Sequence, residues 1–364
     1  MADHFDRILI IVTRQLGDVL LTTPLIHATR LRWPNARIDV LGFAGTLGLL
    51  RGNPDVTSLV EVTAARGWRA SCQTFRRLWR RYDLALVGQP SDRAHLYGWV
   101  AAPRRSGLVT WHRGKSWWQR LLLEHAVEVP GERGHVVLEK LALLAPWAAL
   151  PAVVELVPPA AKPLPDDLAA RLRPGYVVVQ VPSLVAYKQW PIAHYAELVG
   201  SITALGTQVV LTGSASAADR ERVAAVAASV PVKALEARPP VLDVAGRLDL
   251  NQVTALLAGA RLYIGPDTSI THLAAACGIP MIALYGPVDP RIFGPWPQGH
   301  AARQPWVAQA ERQVDGAITL QQGSQACVPC NGAGCERHDA SRSDCLISIT
   351  PKRVLAQVHL VLDA

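Results

Sequence analysis

Asp267, Thr268 and Ser269 stand together in the segment LYIGPDTSITHLAAACGIPMIALYGPVDP, residues 262–290, and His272 follows three positions later. All three are residue types that cap helices. A helix start offers free N–H groups and the positive end of the peptide dipole, which suit a phosphate. The Thr268 and Ser269 hydroxyls add donors. A carboxylate repels phosphate, so Asp267 reads as an acceptor for sugar hydroxyls beside it. The plainer alternative is that Asp267 only caps the helix and His272 only packs. A second carboxylate, Asp18, ends the turn RQLGD (14–18). There it is a general base or an N-cap, and the two stay open. Ser183 and Lys188 lie in the loop Pro182–Trp190, where a lysine supplies a point charge for phosphate or is simply solvated.

A further cluster is Cys327, Cys330, Cys335 and Cys345, spaced C-x2-C-x4-C-x9-C. It reads as a structural zinc site, with an iron–sulfur centre, free thiols or a redox pair as the other readings, and His338 can replace one thiolate. Cys72 and Cys277 read as isolated buried residues.

The elements that must place these groups alternate. Arg7–Thr13 is an apolar run typical of a buried parallel strand. A helix is expected over 19–33, with Pro24 near its start, then strands at Ile38–Phe43, Leu59–Val62 and Leu84–Val87. Residues 151–174 are rich in proline and alanine and read as a linker merging into a short helix. The rhythm then restarts: strand Tyr176–Val181, helix Ile192–Leu205, strand Gln208–Thr212, helix Leu250–Gly259, and the strand–turn–helix–strand unit that carries Asp267. The fold class is α/β with parallel sheets, whose ligand sites gather at the carboxyl ends of strands. The expected domains are 1–160 and 161–345, the second holding a Cys-rich insert at 321–345. A helix at 346–364 packs back on the body. No G-x-G-x-x-G follows the first strand, which argues against an NAD-type dehydrogenase.

Half of the residues are hydrophobic and 18% are charged, as in a globular protein. Met1–Arg7 carries acids and the apolar run after it is short, so no signal peptide is expected. No apolar run reaches the roughly 18 residues of a membrane span. The net charge is +8, and residues 1–160 hold 20 Lys and Arg against 13 Asp and Glu. Within 66–120 there are 12 basic residues and two acids, Asp83 and Asp92, interleaved with Trp68, Trp79, Trp99, Trp111, Trp117 and Trp118. Such a face suits an anionic partner, with Arg76, Arg77, Arg80 and Arg81 as its contacts. The alternative is a solvated basic face with tryptophans in the core. No recognised nucleic-acid motif is present, so no nucleic-acid partner is expected.

The segments RQLGDVLLTTPLI (14–26), NPDV (53–56), YKQWPIAHY (187–195), IGPDTSITHLAAACGIPMIALYGPVDP (264–290) and SDCLISITPKRVLAQV (343–358) together resemble glycosyltransferase family 9, the ADP-heptose lipopolysaccharide heptosyltransferases. They span nearly the whole chain in the family's order. The resemblance implies a GT-B architecture, two Rossmann-like domains facing across a cleft, the first taking the acceptor and the second the nucleotide-sugar. It implies inverting transfer of heptose or a related sugar from an ADP-sugar to the lipopolysaccharide inner core, without a catalytic metal. The protein would work peripherally at the cytoplasmic face of the inner membrane. By motif, Asp18 matches the base, Lys188 the diphosphate-binding lysine, Asp267 and His272 residues at the donor sugar and diphosphate, and Thr268 and Ser269 the phosphate-cradling turn. One departure stands out. Family members often carry an acid in the loop after Gly213, and here that loop is SASAADRE, leaving Asp219 for the ribose. The alternatives are another nucleotide-sugar or acceptor, an epimerase, or a non-catalytic binding protein on the same frame.

Overall fold

The run RILII at Arg7–Ile11 forms strand β1, whose side chains after Arg7 are all buried. It lies at the centre of a parallel sheet, as a run apolar on both faces demands. The computed structural model describes residues 4–63, 68–131, 134–230 and 240–363. After β1 the expected single helix is two: α1 (Leu16–Leu20) and α2 (Thr23–Arg32). Pro24 has no N–H to give the Leu20 carbonyl, so the helix breaks there. The Thr23 hydroxyl donates to that carbonyl instead, at 2.8 Å, and the Thr22 hydroxyl donates to Asp18 O at 2.7 Å.

The same unit continues with β2 (Arg37–Phe43), β3 (Ser58–Val62), α3 (Trp68–Leu78), β4 (Leu84–Val87), α4 (Asp92–Ala101), β5 (Arg104–Thr110), α5 (Arg113–Leu121), β6 (His125–Val129) and α6 (Val136–Leu141). Its six strands are parallel, in the order β3-β2-β1-β4-β5-β6. The strands β5 and β6 escape a sequence reading because RRSGLVT and HAVEV carry polar residues and lie toward the sheet's edge.

A short strand β7 (Val153–Val154) precedes the second unit. That unit opens with α7 (Asp166–Ala169), β8 (Val177–Gln180), α8 (Ile192–Ala204), β9 (Val209–Thr212), α9 (Ala217–Ser229) and β10 (Leu242–Asp243). It continues with α10 (Leu250–Ala258), β11 (Leu262–Pro266), α11 (Ser269–Ala276), β12 (Met281–Tyr285) and α12 (Pro290–Phe293). After β13 (His300–Ala301) come β14 (Arg312–Asp315), β15 (Ile318–Gln322), α13 (Asp344–Ile347) and α14 (Pro351–Leu362). The seven-stranded sheet runs β10-β9-β8-β11-β12-β15-β14, parallel except for β14. Its core is mainly Val, Ile and Leu from β8, β9, β11, β12, α8 and α14.

By contacts the chain divides into Met1–Ala160 with Gly299–Gln304, and Ala161–Gln298 with Pro305–Ala364. The return at 299–304 has no signal in the sequence; β13 pairs antiparallel with β7 through two residues.

Two quoted motifs turn out to be architectural. In NPDV, Asn53 Oδ1 accepts the Asp55 N–H at 2.9 Å, and Asp55 pairs with His27 Nδ1 at 2.8 Å. In YKQWPIAHY, buried Trp190 donates to Ile349 O at 2.8 Å and meets Tyr195 edge-on, with ring centroids 4.9 Å apart.

Candidate active site

In the second unit, the carboxyl ends of β8 and β11 bring the predicted anion-binding residues together. Lys188 ends a single 3-10 turn after β8 (Ala186–Lys188), and Asp267 follows β11. Lys188 Nζ lies 2.5 Å from Asp267 Oδ2. The carboxylate is buried and the lysine side chain one-quarter exposed. His272 Nε2 stands 4.0 Å from Asp267 Oδ1. Tyr285 OH is 3.5 Å from the same oxygen and donates to Phe293 O at 2.9 Å. Burial, with the Asp267 charge added, pushes the Tyr285 hydroxyl well above its usual value, so it remains a donor.

Helix α11 starts one residue later than an Asp267 cap requires. Thr268 is its N-cap, the hydroxyl accepting the Thr271 N–H at 3.4 Å. That frees the Asp267 carboxylate for Lys188 and commits the Thr268 hydroxyl to the helix. Ser269, the first helical residue, is half-buried at the dipole's positive end. Thr271 also bonds Tyr263 OH at 2.8 Å, and a side chain at Gly265 would collide with that hydroxyl. Ser183 is buried, and its carbonyl accepts from Gln189 Nε2 at 2.8 Å. Asp219 lies elsewhere in its chemistry: its carboxylate accepts the Ser214 N–H at 3.0 Å at the start of α9.

The Cys-rich segment braces this edge. Ala186 N–H donates to Asp339 O at 3.0 Å, Asn331 Oδ1 accepts the Asp289 N–H at 2.9 Å, and Asn331 N–H donates to Pro287 O at 2.8 Å. Cys345 is buried, and burial pushes its thiol up to about 12, with nearby Cys330, Cys335 and Cys327 adding to the shift. Cys335 Sγ accepts the Asp344 N–H at 3.4 Å, and His338 pairs with Glu336 at 2.9 Å. Among the described residues no group of three or more His, Cys, Asp or Glu is placed to hold a metal ion, although Cys327, Cys330 and Cys335 lie near Cys345. Cys72, expected to be buried, is exposed on α3.

In the first unit Asp18 lies within α1, whose N-cap is Gln15. Asp18 is half-buried, past the carboxyl end of β1. Its carbonyl accepts from Lys140 Nζ at 2.6 Å, and Lys140 also donates to Thr22 Oγ1 at 2.7 Å. Lys140 is only 1% exposed. Sequence reasoning missed it; the signal was a lysine inside the apolar run VVLEKLALL. At the same sheet edge the Thr13 N–H donates to Gln89 Oε1 at 2.8 Å.

Arg76 and Arg77 occupy the last turn of α3, and Arg80 and Arg81 follow it. All four are exposed. Asp83 N–H, two residues on, donates to Arg7 O at the amino end of β1, at 2.8 Å. Asp18 lies beyond the other end of that strand, a separation of roughly 15 Å or more for five residues. The structure therefore does not bring these arginines to Asp18.

A profile described as glycosyltransferase family 9 (heptosyltransferase) matches residues 72–314. The chain is 28% identical over 376 residues to lipopolysaccharide heptosyltransferase 2 of Salmonella typhimurium, covering 98% of this chain and 99% of that one. It is 29% identical over 292 residues to lipopolysaccharide heptosyltransferase 3 of Escherichia coli, covering 77% and 83%. The solved structure of the E. coli ADP-heptose LPS heptosyltransferase II aligns with a TM-score of 0.72 at 24% identity, covering 98% of each chain. The fold is thus the GT-B type, built of two Rossmann-like units.

Proposed function

The chain belongs to glycosyltransferase family 9, and from that membership we propose that it moves heptose from ADP-heptose to the lipopolysaccharide inner core. The observation that carries the reading is the Lys188–Asp267 pair set against the start of α11. Bond making joins the acceptor oxygen to the anomeric carbon as the bond from that carbon to the diphosphate breaks. Asp18 takes the acceptor hydroxyl's proton as it attacks. Negative charge then builds on the leaving ADP, where the Lys188 ammonium, the Ser269 hydroxyl and the first N–H groups of α11 meet it. Asp267 orients Lys188 and accepts from hydroxyls of the donor sugar, beside His272. One displacement by a deprotonated hydroxyl inverts the anomeric centre. The charge on ADP is met by protein groups, so the reaction is proposed to need no divalent ion.

The acceptor is anchored in a membrane, and the protein is proposed to work peripherally at the cytoplasmic face of the inner membrane. No helix among the described residues is long and apolar enough to cross a membrane.

The test is a thermal-shift panel of ADP, GDP, UDP and their sugars, followed by turnover with ADP-heptose and a deacylated inner-core acceptor. A ligand specific for the fold raises its melting temperature by mass action. ADP should stand out, and turnover should survive EDTA. Stabilisation by UDP or GDP alone would replace the donor, and ADP binding without turnover would leave a non-catalytic binding protein.

A further inference from the structure

Helix α5 is built inside out. Its buried residues are polar: Ser116 is 1% exposed and Gln119 5%. Ser116 Oγ donates to Thr110 O at 3.0 Å, and Gln119 Nε2 donates to Asp92 Oδ1 at 2.6 Å. Arg120 donates to Thr110 O at 3.1 Å and pairs with Glu128 at 2.8 Å. The opposite face is apolar and open to solvent, with Trp117 61% exposed and Leu121 75%. Trp117 and Leu121 are four residues apart and so lie one above the other on the same face, with half-buried Trp118 beside them. A helix that only needed to cover the sheet would turn that stripe inward.

The stripe does not stand alone. The crossovers β3 to β4, β4 to β5 and β5 to β6 all run the same way across the sheet, so right-handed connections put α3, α4 and α5 in one layer. α4 exposes Leu96 and Trp99, and Trp79 is exposed just after α3. Arg80 N–H donates to Val100 O at 3.0 Å, which joins the ends of α3 and α4. β6 is the sheet's edge, so α5 is the outermost helix of the layer.

Charge selects the occupant. The two acids of the stretch 66–120 are both engaged within the fold: Asp83 accepts the N–H groups of Asp6 and Arg7 at 2.9 and 2.8 Å, and Asp92 holds Gln119. Lys115 is exposed two residues before Trp117, and Arg80 and Arg81 are exposed directly after Trp79, with Arg76 and Arg77 exposed in the last turn of α3. Indole rings with cations at their flanks match the headgroup boundary of an anionic bilayer. We propose that the outer face of α5, with exposed Trp79 after α3 and Trp99 of α4 in the same layer, is a docking surface for an anionic lipid membrane. The choice of a membrane over another apolar partner rests also on the proposed lipid-anchored acceptor.

The test is co-sedimentation of the full chain with vesicles of phosphatidylglycerol and phosphatidylethanolamine, against vesicles of phosphatidylcholine. The wild type should pellet with the anionic vesicles and remain in solution with the neutral ones. Trp117→Ser with Leu121→Ser should weaken that binding by about tenfold or more. Lys115→Glu should weaken binding to the anionic vesicles and leave the protein in solution with the neutral ones. Circular dichroism checks folding, and Trp99→Ser is the second variant if the double variant does not fold. ADP binding and turnover on the deacylated acceptor should be unchanged. Undiminished pelleting of the double variant overturns the proposal. So does equal binding to both vesicle types, or a wild-type dimer that the double variant dissolves, which would make a second copy the occupant. Vesicle binding with no glycosyl transfer would instead overturn the proposed reaction and leave the surface standing.

Discussion

Asp18 and Lys140 show how the side chain proposed as the base is set by its backbone. The buried Lys140 ammonium holds the Asp18 carbonyl at 2.6 Å and the Thr22 hydroxyl at 2.7 Å, and so fixes the short helix that presents the carboxylate. Asp18→Asn should lower kcat by about 10²–10⁴ while calorimetry gives an unchanged ADP affinity. Lys140→Met should also lower kcat, because two buried acceptors lose their donor, at roughly 1–3 kcal/mol of stability. As a positioning residue it should leave the pH profile of kcat in place, and a shifted profile would mean that Lys140 exchanges the proton itself. In the second unit, Lys188→Ala should weaken ADP binding by about 10–100-fold, the scale of a lost charged hydrogen bond. Unchanged affinity would remove Lys188 from the donor site.

At the scale of elements, helix α4 carries a titratable liability. His95 is buried, its Nδ1 2.8 Å from Ser91 O, and burial lowers its pKa below the usual 6.5. The unfolded chain therefore binds this proton more readily than the native one, and stability rises with pH across that interval. The contribution is complete above about pH 6.5 and is lost as pH falls through 6.5 toward the native value. Melting curves of wild type and His95→Gln should diverge in slope below pH 6.5, the variant losing less. A parallel pH dependence would refute it. The Cys-rich segment has its own assay. Alkylation at pH 8 should label exposed Cys327, Cys330 and Cys335 and spare Cys345, whose thiol sits at about 12. Protection of all four together, with metal in elemental analysis, would mark a bound ion.

Across the whole molecule, charge is concentrated in the first 160 residues, 20 Lys and Arg against 13 Asp and Glu, while the remainder is nearly balanced. Vesicle binding through that unit should fall steeply with salt, as the screening length shrinks from about 10 Å at 0.1 M to 3 Å at 1 M. Binding that survives 1 M salt would show that the tryptophans alone hold the surface.

The central strands β1, β8, β11 and β12 and the Asp267 turn were legible in the sequence, because a strand covered on both sides must be apolar throughout and a helix start must carry cap residues. The edge strand β6 and its neighbour β5 were not, since HAVEV and RRSGLVT carry polar residues and neither is an unbroken apolar run. Nor was the split between α1 and α2, although Pro24 marked the place. Residue types suggested the chemistry proposed at Asp18, Lys188 and Asp267, because that suggestion is local. Only the tertiary structure decided that Lys188 pairs with Asp267 across 79 positions, that Lys140 holds Asp18 across 122, and that Trp117 of α5 faces outward. Those depend on which strands become neighbours and which helix face meets the sheet, and periodicity marks an apolar stripe without saying what covers it.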